Sequence, residues 1–165
     1  MSEKQTLKRA RKDRRKGKAP TTQAGEFIRE EMHHIRSGKH GARSAKQAIA
    51  IGLSKARRAG VHLPPPAKGK ASEKTRRSAA RAYAKGQKHE SHKTSPTRSR
   101  AISGVLRREG HRAASSAALS HQASTAARKR THAERSASAR KGMSKRSPEE
   151  RSASARKAAR TRMGS

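Results

Sequence analysis

The residues best suited to chemistry in this chain are cations in short clusters. Lys8, Arg9, Arg11, Lys12, Arg14, Arg15 and Lys16 crowd the first twenty residues. Arg43, Lys46, Lys55, Arg57 and Arg58 follow in the middle, and Arg76, Arg77, Arg128, Lys129 and Arg130 lie further on. Ala, Ser and Gly separate the clusters, a spacing that lets each cation reach a successive phosphate without burying anything. Lys and Arg together number 44 against 11 Asp and Glu, and the resulting net charge of +33 calls for a polyanionic partner. Duplex DNA is the expected one, with RNA as the alternative polymer.

Other chemistries are poorly supplied. The chain has no cysteine, which excludes a disulfide framework and a thiolate zinc site. Among its nine histidines, His33, His34 and His40 lie close in sequence, as do His89 and His92. Glu30 and His34 form an i, i+4 pair of the kind usually found as a surface contact. The reading adopted at this level is that no metal or other cofactor is bound and that the histidines add positive charge below about pH 6.5. No nucleophile–base arrangement is evident: Asp13 is the only Asp, and Gly69-Lys70 lacks the preceding glycine of a phosphate-binding loop. The chain therefore reads as no enzyme and as having no small-molecule substrate. Asn is absent, Gln47 is the only candidate base reader, and Phe27 and Tyr83 are the only aromatics, so neither groove readout nor base stacking is expected. Ser95-Pro96-Thr97-Arg98 resembles the Ser-Pro-x-basic elements of linker-histone tails and equally reads as a helix start, the reading preferred.

The elements that would position these cations are helical. Thr22 as N-cap and the stripe Ala24, Ile28, Met32 and Ile35 predict an amphipathic helix over 22–36, with Glu26, Glu30 and Glu31 facing away from phosphate. Ser44 with Gln47 three residues later forms a capping box, and Gly60 sits where a C′ glycine belongs, so a second helix is predicted over 44–59. Ala45, Ile49, Leu53 and Ala56 line one face of it, while Ile51 points elsewhere. Residues 21–63 hold nine large apolar residues, and the 102 residues from Pro64 onward hold only seven. The fold expected is thus all-α: a small helical hairpin in 21–63, flanked by a basic disordered arm in 1–20 and a basic Ala/Ser/Lys/Arg-rich tail in 64–165. The tail is expected to be largely disordered, with short helices over about 72–86, 96–109, 113–130 and 148–162. Either Val61 and Leu63 fold back on the hairpin or two copies pair through Ile51 as a homodimer. An exact repeat, Glu134-Arg-Ser-Ala-Ser-Ala-Arg-Lys141 and Glu150-Arg-Ser-Ala-Ser-Ala-Arg-Lys157, reads as a duplicated charge cassette.

The segment Lys46-Gln-Ala-Ile-Ala-Ile-Gly-Leu-Ser-Lys-Ala-Arg-Arg-Ala-Gly60, and more broadly residues 26–63, resembles a family of small basic bacterial proteins that carry a domain of unknown function. That resemblance implies a DNA-binding or plasmid-stabilisation type of role and supplies no catalytic residues. The tail is similar in composition to bacterial linker-histone-like proteins. The expectation is a nucleoid-associated, cytoplasmic protein that binds and condenses duplex DNA through its phosphates, with no membrane partner. RNA or ribosome association is the alternative, as is a protein-docking hairpin with accessory basic arms.

Overall fold

A computed structural model describes residues 3–88, 95–144 and 146–163. It is all-helical among those residues: α1 (Glu3–Arg15), α2 (Pro20–Arg36), α3 (Ala45–Arg58), α4 (Glu73–Gln87), α5 (Pro96–Arg108), α6 (Ser116–Arg128), α7 (His132–Ser144) and α8 (Pro148–Met163), with a 3₁₀ turn at Arg112–Ala114. None of these helices is long and apolar enough to cross a membrane.

The hairpin of α2 and α3 forms as its capping signals dictate. Ser44 Oγ accepts from the Gln47 N–H at 3.2 Å, and the Gln47 side chain accepts from the Arg43 N–H at 2.8 Å. At the far end of α3, Gly60 adopts φ 83° while its N–H and that of Val61 reach back to the Arg57 and Ala56 carbonyls, closing a Schellman motif. The first helix begins earlier than Thr22, because Pro20 at its first turn presets a helical φ and needs no N–H there. The predicted stripe turns inward: Ala24, Met32 and Ile35 are buried, joined by Phe27. Gly52 lets the two helices approach closely, since a Cβ there would stand 2.8 Å from the Ile28 Cα. Val61 and Leu63 fold back onto this core, beside Phe27 and Ala56. Ile51 is half-buried.

The flanking segments are folded helices rather than disordered arms, which corrects the expectation from charge. In α1, Glu3 near the N-terminus and Lys12, Arg14 and Arg15 in the last turn complement the helix dipole. Gly17, at φ 67°, then turns the chain so that α1 packs against α2. The buried side of α1 is made of Thr6 and Ala10, with Leu7 packed against the same cluster. Arg9 Nε stands 2.6 Å from Glu26 Oε2, so cation pairing replaces cation repulsion along this contact. On the other side of the hairpin, α4 packs against α3 through Ala79, Ala82 and Gly86, all buried. A Cβ on Gly86 would lie 1.8 Å from the Arg57 carbonyl oxygen, so the two backbones touch there.

The second half of the core comes from beyond α4. Ala113 and Ala114 of the 3₁₀ turn, with Leu119 of α6, pack on Met32, Ile35, Ala42 and Ala48. Arg36 Nε donates to the Ala114 carbonyl at 2.8 Å, and the Gly41 N–H donates to the Leu106 carbonyl at 2.7 Å. The buried residues of the turn are both alanines, which is why the count of large apolar residues does not reveal its place in the core. The helix expected over 113–130 is accordingly interrupted at Ser115. The large apolar residues of α5 are not used in this way: Ile102 and Val105 are each 54% exposed.

The chain divides into two compact units, Met1–Gln122 and Ala123–Ser165. Within the second, α7 and α8 bury no residue. Both begin with a reciprocal capping box. Thr131 Oγ1 accepts from the Glu134 N–H while Glu134 Oε2 accepts from the Thr131 N–H; Ser147 and Glu150 do the same. The exact repeat therefore starts each time at the third helical position with its capping glutamate. It is a helix-start cassette as well as a charge cassette.

Candidate nucleic-acid interface

Most of the clustered cations foreseen as phosphate contacts are exposed: Lys8, Arg11, Lys12, Arg14, Arg15, Lys16, Arg43, Lys46, Arg58, Arg77, Arg128, Lys129 and Arg130. The most organised set is on α1. At 100° per residue, Lys4, Lys8, Arg11 and Arg15 share one side of the helix, roughly opposite the buried Thr6 and Ala10. Lys4, Leu7, Lys8, Arg11, Arg14 and Arg15 line an open surface cleft there. Clustering along the sequence marks these cations, apart from Lys4, but not the helix that arrays them. The 3.6-residue spacing is legible, but a buried side of Thr6 and Ala10, with Leu7 as its one large apolar residue, shows no apolar stripe that would mark it.

At the end of α3 the cations divide by role. Arg58 is exposed and donates to Ser54 Oγ at 2.9 Å. Arg57 is buried, and its guanidinium donates to the Leu63 and Pro64 carbonyls at 3.0 and 3.4 Å. Burial lowers its pKa from the ordinary value, and its hydrogen bonds hold the Val61–Leu63 return in place. Lys55 stands 2.7 Å from Glu31 Oε2. Arg9 pairs with Glu26, and Arg76 makes a two-pronged contact with Glu73 at 2.8 Å through both nitrogens. This contact holds the Glu73 carboxyl below its ordinary value and raises the Arg76 guanidinium. Arg130 donates to the Glu134 carbonyl and to Ser138 Oγ, joining the start of α7. Arg9, Arg57, Arg58, Arg76 and Arg130 thus spend part or all of their hydrogen-bonding capacity inside the protein, and Lys55 pairs its charge there.

Gln47 is occupied by the capping of α3, and Phe27 is in the core. Tyr83 hydroxyl lies 2.7 Å from His62 Nδ1 at the α4–loop contact. The acids of α2 do not simply face away from the basic surface. Glu30 and Glu31 are 1% and 0% exposed, because α3 and the turn after α2 close over them. Around them the fold gathers His34 and His40, while His33 stays exposed. His89 and His92 lie outside the described residues.

A family of unknown function (DUF6496) matches residues 17–68, the span from the turn after α1 through the hairpin and the segment that follows α3. Among curated proteins and among solved structures, nothing matches the chain.

Proposed function

We propose that this protein binds duplex DNA through its phosphates and condenses it with little sequence preference, as a nucleoid-associated or plasmid-stabilising protein of the bacterial cytoplasm. The reading is carried by one observation, the excess of 33 positive charges whose clusters stand exposed along a helical scaffold. Cations fixed on α1 at one-turn intervals can reach neighbouring phosphates with little loss of backbone entropy on binding, because the helix is already formed and packed. In the second unit, helices set by local caps present cations on all sides, which suits bridging between DNA segments. Binding is the whole of the proposed activity, without a reaction step or a cofactor taking part in it.

The test is a mobility-shift titration of the full chain on unrelated duplexes across ionic strengths. Neutralising about ten phosphates gives a log–log salt slope near −9, with similar affinity for each duplex. Affinity indifferent to salt would refute the mechanism. Competition by structured RNA at matched salt, if it exceeds that of duplex DNA, transfers the same electrostatics to an RNA target.

A further inference from the structure

Among the described residues, the most deeply buried charged cluster is not basic. Glu30 and Glu31 sit side by side on α2 with all four carboxylate oxygens buried and without a hydrogen bond. Burying a carboxylate is costly unless charge and hydrogen bonds compensate it. Lys55 Nζ lies 2.7 Å from Glu31 Oε2, close but outside hydrogen-bonding angles, and offsets one of the two negative charges. Glu31 Oε1 faces His40 Nε2 at 3.4 Å, and Glu30 Oε1 faces His34 Nε2 at 3.9 Å.

The orientation of His40 sharpens the question. Its Nδ1 lies 3.1 Å from the Gly41 carbonyl, which can only accept, so that nitrogen carries the proton. In the neutral ring Nε2 then presents a lone pair to a carboxylate oxygen. Two acceptors face each other across 3.4 Å, and a cation between them reconciles the pair. With metal–ligand bonds of about 2.0–2.1 Å, the edge of a tetrahedral zinc site is also about 3.4 Å. A backbone carbonyl on the far ring nitrogen is the usual outer support of a metal-bound histidine. Ligand atoms of Glu31, His34 and His40 lie within 4.8 Å of one another, so modest side-chain rotations bring His34 to the same centre.

We propose that Glu31, His34 and His40, with Glu30 as the fourth group, hold a divalent cation of the zinc class. Two imidazoles and two carboxylates suit zinc or cobalt(II). Glu31 would bind through Oε1 and keep Lys55 on Oε2. The ion would tie α2 to the turn carrying His40, and through Lys55 to α3, stapling a short hairpin. The site lies wholly within residues 17–68, the span matched by the family model.

The test uses the full chain, stripped with a chelator and titrated with Co²⁺ and Zn²⁺. One equivalent of Co²⁺ should produce the intense visible bands of a tetrahedral centre, and Zn²⁺ should displace it. Zn²⁺ at a hundredfold excess over its Kd should raise the Tm by about 5–10 °C. His34→Ala and His40→Ala should each weaken binding about a hundredfold or more, since loss of an outer-shell support alone costs 10–100-fold. Glu30→Gln, which keeps the side-chain shape, should weaken binding while preserving the helical circular dichroism. His33→Ala should bind like the wild type. The proposal is overturned if the wild-type chain gives no tetrahedral Co²⁺ spectrum and no Zn²⁺-dependent Tm shift, or if His33→Ala loses binding as His40→Ala does, which would mean diffuse surface chelation.

Discussion

Gly86→Ala separates a docked α4 from a free basic helix, because the two pictures demand effects of opposite sign. In an isolated helix, replacing an interior glycine by alanine stabilises by up to about 1 kcal/mol, and less near the end of the helix. In the folded protein the new Cβ would stand 1.8 Å from the Arg57 carbonyl oxygen and 2.9 Å from its carbonyl carbon. Both are backbone atoms, so no rotamer change relieves the clash. Reaching even the 3.0 Å that real Cβ atoms tolerate requires about 1.2 Å of separation between α4 and α3. Overpacking of this kind costs about 1–3 kcal/mol. Set against the helix gain, the net loss is about 1–2 kcal/mol, or a Tm lowered by roughly 2–8 °C at 2–4 °C per kcal/mol. Thermal unfolding followed by far-ultraviolet circular dichroism measures it. Tyr83 is the only tyrosine and the chain has no tryptophan, so its fluorescence reports the α4 contact with His62 directly. A variant with raised Tm and unchanged Tyr83 emission would refute the packing of α4 on α3.

Three further outcomes are expected. Converting Lys4, Lys8, Arg11 and Arg15 together to Gln should reduce the magnitude of the log–log salt slope for duplex DNA by about 3–4 and leave the Tm nearly unchanged, since these side chains lie on the exposed side of α1; an unchanged slope would remove α1 from the interface. Arg57→Met should cost about 1–2 kcal/mol through the Leu63 and Pro64 carbonyls it leaves to water, with the salt slope unaltered, whereas Arg58→Gln should do the reverse. Paired urea melts and mobility shifts would check both arms. The Glu73 carboxyl is held below its ordinary 4.5 by Arg76, so it binds fewer protons folded than unfolded at mildly acidic pH. Its contribution is therefore complete above pH 4.5 and disappears as pH falls through the lowered folded value. An acid titration of helicity should show this loss in the wild type and not in Glu73→Gln.

Much of the helical layout was legible because it is decided locally. Ser44, Gln47 and Gly60 bracket α3, Ser72 opens α4 and Ser147 opens α8 by satisfying backbone groups within a few residues, while Pro96 opens α5 by presetting a helical φ where no N–H needs a partner. The exposed cations were equally legible, since net charge and cluster spacing need no coordinates. What escaped was the packing of small residues. Thr6, Ala10, Ala79, Ala82, Ala113 and Ala114 look like solvent-exposed filler in a basic sequence, yet each is buried.

The sequence by itself therefore determined an all-helical, strongly basic chain and most of its helix ends, because caps, prolines and charge act over a few residues or over the whole molecule. Only the tertiary structure decided which charges lie inside. Glu30 and Glu31 go into the interior because His34 lies one helical turn on, His40 returns in the segment after α2, and Lys55 approaches from α3. Arg57 does so because the chain returns two carbonyls to it. A charge is buried or exposed according to the partners that distant segments bring within a few ångströms, and residue spacing alone does not state that distance.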